Sequence, residues 1–465
     1  MRILAWQILG FCENGAVLKR LLELVLCGAF CMAHALDYKL SGTLGSFARI
    51  GFNNSPINTL KGIYPTGSYV TLVASLKLSV HLLPKSVSDH QLKAAIGAEL
   101  GALAYDSTRT LTDTSGQEKG FLPANWFYMG RWLGYFMDAP WRDSRYETAM
   151  RVRDFVLHTL YLGYSYKDHF GFKIGRYRSR ALFLSGYNQG IQLFLHFGTW
   201  SLQWFSSYGR ARSNLQFIRD FYAPISYQFP SGQHIDYGLH ALSFIYKHKH
   251  LTLMPFVWFY PKLYTAPGFQ FDFDFAYVNW KIHTHLYAWF PLYSTYMAHR
   301  YFRGALVGRN TASFLLYQHF DIDNHYNFGW GVYKNFGNAS ACIGWSGSPI
   351  PFDTKDNTPY ENAYSNLYNA NSVTGFAYVG FRWQNFSWQL LGKFTHSPRA
   401  DSKSLMLTLE YKPSPHIHLL FKINGFDVTM HQGYKVGYFS AGYNPKFKAN
   451  TQDRSYVMTS MSYDF

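Results

Sequence analysis

The sequence predicts an all-β protein: a transmembrane antiparallel up-and-down β-barrel of about 18 strands (roughly 16–20), with long external loops and short periplasmic turns. Three observations predict it. Segments of about ten residues alternate strictly between apolar and polar side chains. The chain ends in one such segment whose last residue is Phe465. Past the N-terminal segment, no run of about 20 apolar residues offers a membrane-spanning helix.

The alternation is plainest at Phe269-Gln270-Phe271-Asp272-Phe273-Asp274-Phe275-Ala276-Tyr277. Five aromatics share one parity, with Gln270, Asp272 and Asp274 on the other. A helix would scatter those rings around its circumference, whereas a strand puts them on one side. Val70, Leu72, Ala74, Leu76, Leu78, Val80 and Leu82 form a second apolar row, opposed by Thr71, Ser75, Lys77, Ser79 and His81. Leu92, Ala94, Ile96, Ala98, Leu100, Ala102 and Ala104 form a third, opposed by Lys93 and Glu99. Charges at alternate positions are costly toward lipid and cheap toward a watery lumen.

Further strands are expected at 38–50, 152–166, 169–178, 189–198, 200–210, 237–247, 250–260, 281–291, 312–320, 325–335, 339–345, 372–383, 386–396, 403–412 and 416–426, with a short one at 301–308. Short turns such as Lys167-Asp168, Gly198-Thr199, Asn279-Trp280 and Gln384-Asn385 join many of them. The gaps 106–151, 211–236, 292–311, 346–371 and 427–454 are longer and read as external loops. Counting gives about 18 to 20 strands. Two periplasmic termini require an even number, and 18 is the expectation.

In the terminal segment Val457, Met461, Tyr463 and Phe465 share a lipid-facing parity, and Ser460, Ser462 and Asp464 share the other. Tyr463 and Phe465 are the expected assembly signal for the barrel-assembly machinery. At the other end, Lys19 and Arg20, the apolar stretch Leu21 to Met32 and Ala33-His34-Ala35 have the layout of an export signal. Residues 1–35 are therefore expected to be a signal peptide and 36–465 the barrel. Lipid attachment is disfavoured, because Leu26 precedes Cys27 and Phe30 precedes Cys31. Cys342 is the only cysteine after the cleavage site, so no intrachain disulfide can form.

Composition agrees with a barrel. Aromatics make up 19% and charged residues 15%, with mean hydropathy −0.16. Many rings at middling hydropathy suit strands with one face in lipid and one in water. The formal net charge is +16, and removing residues 1–35, with three basic and two acidic side chains, leaves +15. For an exported barrel this points away from nucleic acid. It points toward an anion-favouring lumen or toward lipopolysaccharide phosphates and outer-membrane lipids at the rim.

No metalloprotease, P-loop, C-x-x-C or nucleophile-elbow motif occurs, and no enzyme activity, cofactor or metal is expected. The i,i+2 pairs His248/His250, His283/His285 and His416/His418 each put two rings on one strand face, fewer ligands than a metal site needs. One cluster is sharper. Lys173, Arg176, Arg178 and Arg180 crowd a strand exit just before Gly186-Tyr187-Asn188-Gln189-Gly190. If that segment folds inward, these residues are candidates for a pore constriction. Asp272 and Asp274, on the lumen parity, are candidates for the opposing charge.

Several stretches have the look of a known family: Tyr128-Met129-Gly130-Arg131-Trp132-Leu133-Gly134-Tyr135, Asp138-Ala139-Pro140-Trp141, Gly171-Phe172-Lys173-Ile174-Gly175-Arg176-Tyr177, Ser185-Gly186-Tyr187-Asn188-Gln189-Gly190, Gly344-Trp345-Ser346-Gly347-Ser348-Pro349 and Tyr463-Asp464-Phe465. Together they resemble the Hof family of Helicobacter outer-membrane proteins. The Gly-Arg-Tyr stretch is loosely similar to the Gly-Arg-Gln stretch of OprD-type porins. The resemblance implies a porin-like channel for passive diffusion of small hydrophilic solutes; a homotrimer is one assembly that porins allow. The competing reading is a surface adhesin carried by loops 106–151, 211–236 and 427–454. A plugged transporter is disfavoured, since it needs about 22 strands and a plug domain. On the export reading, Ala33 and Ala35 supply the small side chains that cleavage requires, so N-terminal sequencing of outer-membrane material should start at Leu36.

Overall fold

In the computed structural model, residues 37–465 are described apart from 59, 85–88, 108–112, 117–125, 129–130, 134–153, 181–184, 224–225, 298–310, 338–365 and 435–442. Among the described residues, eighteen strands form a closed antiparallel wall. The first six are β1 (Tyr38–Gly51), β2 (Tyr69–His81), β3 (His90–Asp106), β4 (Phe155–Tyr166), β5 (Phe170–Ser179) and β6 (Gly186–Phe197). The next six are β7 (Trp200–Asn214), β8 (Leu239–His248), β9 (Leu251–Tyr260), β10 (Tyr264–Tyr277), β11 (Trp280–Trp289) and β12 (Ala312–Ile322). The last six are β13 (Tyr326–Phe336), β14 (Val373–Trp383), β15 (Phe386–His396), β16 (Ala400–Ser414), β17 (Ile417–Met430) and β18 (Tyr456–Asp464).

Each strand pairs with its chain neighbours, and β18 closes the ring on β1 from Thr43↔Asp464 to Gly51↔Tyr456. Closure leaves no unpaired sheet edge facing lipid, where each orphaned backbone group would be costly. The seam is reinforced by Thr43 Oγ1 donating to Asp464 Oδ1 at 2.5 Å. Beyond it, Gly42 and Phe465 exchange backbone hydrogen bonds of 2.9 and 3.0 Å. The Phe465 ring lies across Gly42, where a Cβ would collide with ring atom Cζ.

The side chains sort as the alternation requires. Leu72, Leu76, Ile96, Leu100, Phe273 and Phe275 are exposed on the outer wall, whereas Thr71, Val73, Glu99 and Asp272 are buried within. Exposed aromatics gather at the short-turn rim: Tyr166, Trp200, Tyr277, Trp280, Trp383 and Tyr463. Rings in this position match the interfacial girdle of outer-membrane barrels, where an amphipathic ring has lipid on one side and water on the other. Apart from 82–89, the strand joints at this rim are two or three residues long. Several place a non-glycine residue at positive φ, among them Lys167 (46°), Lys249 (49°), Val278 (47°) and Gln384 (50°). Such turns match the right-handed twist of hairpin strands. The joint expected at Asn279-Trp280 is instead at 278–279, with Trp280 already in β11.

The expected strands at 301–308 and 339–345, the signal peptide 1–35, Cys342 and the Asp138–Trp141 and Gly344–Pro349 stretches lie outside the described residues. The expected external loop at 211–236 requires a correction. Its first part is not external. Past Tyr208 the chain leaves the β7–β8 pairing and turns at Asn214–Phe217. It returns as strand Phe217–Tyr222, with Phe217↔Asn214 and Arg219↔Arg212 in register. The reason for its position is packing across the lumen, described below.

The parity assignment has a direct test. Leu76→Arg places a cation on the lipid-facing wall and should cost roughly 2–4 kcal/mol of folded-barrel stability. Ser75→Arg faces the lumen and should be far milder. Urea unfolding of the two variants in detergent would show the difference, and equal losses would reverse the inward and outward faces.

Candidate functional site: the lumen and its inward hairpin

The hairpin formed by residues 209–222 crosses the barrel interior to the wall of β1–β4. Its tip is held there: Thr71 Oγ1 donates to the Leu215 carbonyl at 2.5 Å. Gly45 is what lets it approach so closely, since a Cβ there would meet Leu215 Cδ2 at 2.5 Å. Ala211 and Ile218 are buried in one cluster with Phe47, Tyr69, Val73, Leu103, Val156, Tyr456 and Met458 from the inner faces of β1–β4 and β18. Leu215, Phe217 and Phe221 pack against the same cluster. Burying a large apolar side chain contributes about 1.5–3 kcal/mol, so several such contacts keep the hairpin off the external surface.

This anchored hairpin carries Arg210, Arg212 and Arg219 against a single carboxylate, Asp220. Arg212 and Arg219 are directly opposite in the hairpin register. Like charges in that arrangement repel. Aromatic faces soften it: Arg212 Cζ sits 5.3 Å from the Phe217 ring centroid and Arg219 Cζ 5.2 Å from that of Tyr222. Arg219 Nη1 also reaches the Tyr222 hydroxyl at 3.5 Å. On the facing wall, buried Glu99 lies against Ser213 and Asn214. Tyr222 reports the local field. Burial alone would push its hydroxyl pKa up, but Arg219, Arg212 and Arg210 outweigh this and bring it down to about 7.

Beside the hairpin lies a lumen cavity lined by Ser75, Lys77, His158, Lys173, Arg178 and Tyr187, by other residues of β1, β2 and β4–β6, and by Asp464 of β18 and Phe465. Lys93, Lys173, Arg178 and Lys39 are the charges that act on Lys77. The candidate residues from β5 therefore divide. Lys173 and Arg178 line this basic cavity. Arg176 lies with Cζ 4.4 Å from the Phe221 ring centroid, bonds to Gln189 Oε1 (3.0 Å) and the Leu157 carbonyl (3.3 Å), and so braces the hairpin. Arg180 follows β5 directly and is exposed. The residues that cross the lumen, Arg210, Arg212 and Arg219, were missed in the sequence. The available signal was an Arg-x-Arg strand end, an Asn-bearing turn and a third arginine within one supposed loop.

Asp272 and Asp274 do face inward, but each has a histidine on the neighbouring strand. His285 Nδ1 is 2.5 Å from Asp272 Oδ1, and His283 Nδ1 is 2.7 Å from Asp274 Oδ1. The band continues to β12, where His319 Nε2 is 3.1 Å from Asp321 Oδ2 and the His283 and His319 rings stack with centroids 5.5 Å apart. The Tyr317 and Tyr378 hydroxyls, 2.6 Å apart, extend it to β14. The i,i+2 spacing of His283 and His285 thus places both on the lumen face as partners for carboxylates.

Residues 22–465 match a family model described as "Putative outer membrane protein". The chain belongs to this family. The bacterial outer membrane is accordingly its location. No curated protein matches the chain in sequence. In fold it is similar to Acinetobacter baumannii OccAB4 (TM-score 0.58, 11% identity, covering 93% of this chain and 98% of that one). It is similar to Pseudomonas aeruginosa OccD3 (OpdP), with TM-score 0.57, 10% identity, and 92% and 91% of the two chains covered. Pseudomonas aeruginosa OpdK gives TM-score 0.57 at 10% identity, covering 92% of this chain and 98% of its own. The fold is that of the OprD/Occ porins.

The Tyr222 environment makes selectivity pH-dependent in a defined direction. Deprotonation adds a negative charge among three arginines, so any preference for chloride should fall as pH rises from about 6 to about 8. Tyr222→Phe cannot ionise and should keep the larger chloride preference at the upper pH. Reversal potentials of both proteins at the two pH values check this, with the lumen histidines common to both.

Proposed function

We propose that the barrel is a passive-diffusion channel for small hydrophilic solutes and that it favours anions. The observation that carries this reading is the hairpin 209–222, pinned across the lumen with Arg210, Arg212 and Arg219 beside the Lys77, Lys173 and Arg178 cavity. About 18 strands enclose an aqueous lumen rather than a side-chain-filled one. A segment folded inward narrows that lumen, and low-dielectric walls strengthen the field of any fixed charge there. Arginine stays protonated in all conditions a channel meets. On the far side, the histidine partners of Asp272 and Asp274 weaken the field these carboxylates could set against the arginines. The fold relative OpdK has a structure with vanillate, itself a small carboxylate, which is consistent with this chemistry. Of the three loops that an adhesin would use, 211–236 has its first part engaged inside the barrel, which favours the channel.

Lys173, Arg176, Arg178 and Arg180 are assigned to the basic side of this path, with Arg176 acting mainly through its support of the hairpin. Planar-bilayer recordings under a tenfold KCl gradient test the proposal. Wild type should give an anion-selective reversal potential. Arg210→Gln/Arg212→Gln/Arg219→Gln should move it toward zero, and Arg176→Gln/Arg178→Gln/Arg180→Gln should move it less. A barrel without conductance would favour the adhesin, and unchanged potentials in both variants would place these cations outside the permeation path.

A further inference from the structure

At the loop rim, β15 and β16 are joined by Ser397-Pro398-Arg399, and β17 ends beside this turn. Three potential metal ligands converge here: His396 at the end of β15, Asp401 near the start of β16 and His431 just after β17. Their ligand atoms all lie within 4.8 Å of one another. His396 Nδ1 is 2.6 Å from Asp401 Oδ1, and His431 Nε2 is 3.0 Å from Asp401 Oδ2.

The backbone that holds them is well tied. His396 and Asp401 are register partners across the hairpin. Buried Ser397 donates to Asn366 Oδ1 at 2.7 Å and accepts from the Ala400 N–H at 3.1 Å. Asn366 Nδ2 donates to the Ala400 carbonyl at 2.8 Å. The His431 N–H donates to the Arg399 carbonyl at 2.9 Å, fixing the third ligand to the same turn.

The hydrogen-bonding logic of His431 points to a cation. Its Nδ1 lies 3.1 Å from the Pro398 carbonyl, which can only accept, so Nδ1 must carry a proton. In neutral imidazole the other nitrogen then bears a lone pair, and Nε2 faces a carboxylate that also only accepts. Two lone pairs at 3.0 Å require a positive centre between them, either a second proton or a metal ion. A histidine that donates one N–H to a backbone carbonyl while its other nitrogen faces a carboxylate is oriented as metal-bound histidines are. Arg399, in the same turn, has its Cζ 6.0 Å from the Tyr434 ring centroid.

We propose that His396, Asp401 and His431 form a binding site for a divalent late first-row transition-metal ion at the loop rim, with water completing the coordination. Two imidazoles and one carboxylate are a borderline donor set that suits Zn²⁺ or Ni²⁺ better than Mg²⁺ or Ca²⁺. Ligand atoms in a tetrahedral zinc site are roughly 3.4 Å apart, which small rotations of these side chains reach. His396 and Asp401 remain solvent-accessible, so an ion can enter from outside.

Isothermal titration of the folded full-length barrel in detergent, stripped with chelator, uses ZnCl₂, NiCl₂ and CaCl₂ as probes. Wild type should bind Zn²⁺ and Ni²⁺ and leave Ca²⁺ unbound. Asp401→Asn and His431→Gln should each weaken the tightest Zn²⁺ site by about tenfold or more, with unchanged circular dichroism. Identical zinc isotherms in wild type and variants would overturn the site by assigning the binding to other histidines, as would the absence of binding. Should a variant misfold, wild type alone decides. Saturating Zn²⁺ should protect His396 and His431 from diethylpyrocarbonate in peptide mass spectra, and modification at the metal-free rate would refute the proposal.

Discussion

Backbone hydrogen bonding in a medium without water is the constraint on which the structure depends. A strand in lipid must pair along both edges, and only closure of β18 onto β1 satisfies the first and last strands together. Closure by that seam brings both described chain ends to the short-turn rim and sets the count at an even number. It also divides every strand into an outer row, where Leu76 and Phe273 meet lipid, and an inner row, where Thr71 and Asp272 do not.

A wall of this circumference encloses more space than its own inner side chains fill. The hairpin 209–222 occupies part of it, and it stays because apolar groups on hairpin and wall are removed from water together. The same packing imposes an electrostatic consequence. Arginines that would be solvated on an external loop are held beside other cations, with aromatic faces and few carboxylates to offset them. The hairpin's hydrophobic side thus fixes position and its basic side sets the field. The histidine–aspartate band on β10–β12 does the reverse for the acidic wall, since each inward carboxylate has an imidazole close by.

The sequence by itself determined the strand pattern, the two faces, the terminal seam strand and the outer-membrane class. Those properties follow from a period of two and from the cost of placing charge in lipid, both of which are local. Phe269 to Tyr277 could be assigned to opposite faces without knowing its neighbours, and spacing alone put His283 and His285 on one face, though their carboxylate partners on the next strand identify that face as the lumen. The tertiary structure decided which cations meet. Residues 211–222 read as an external loop because most of what holds them inside, Thr71, Gly45 and the apolar faces of β1–β3, lies more than a hundred residues earlier in the chain. The same holds for His396, Asp401 and His431. Nothing in their spacing marks them, because a strand pairing across β15, β16 and β17 sets their separation in space, and pairing partners are not written in the local pattern of any one strand.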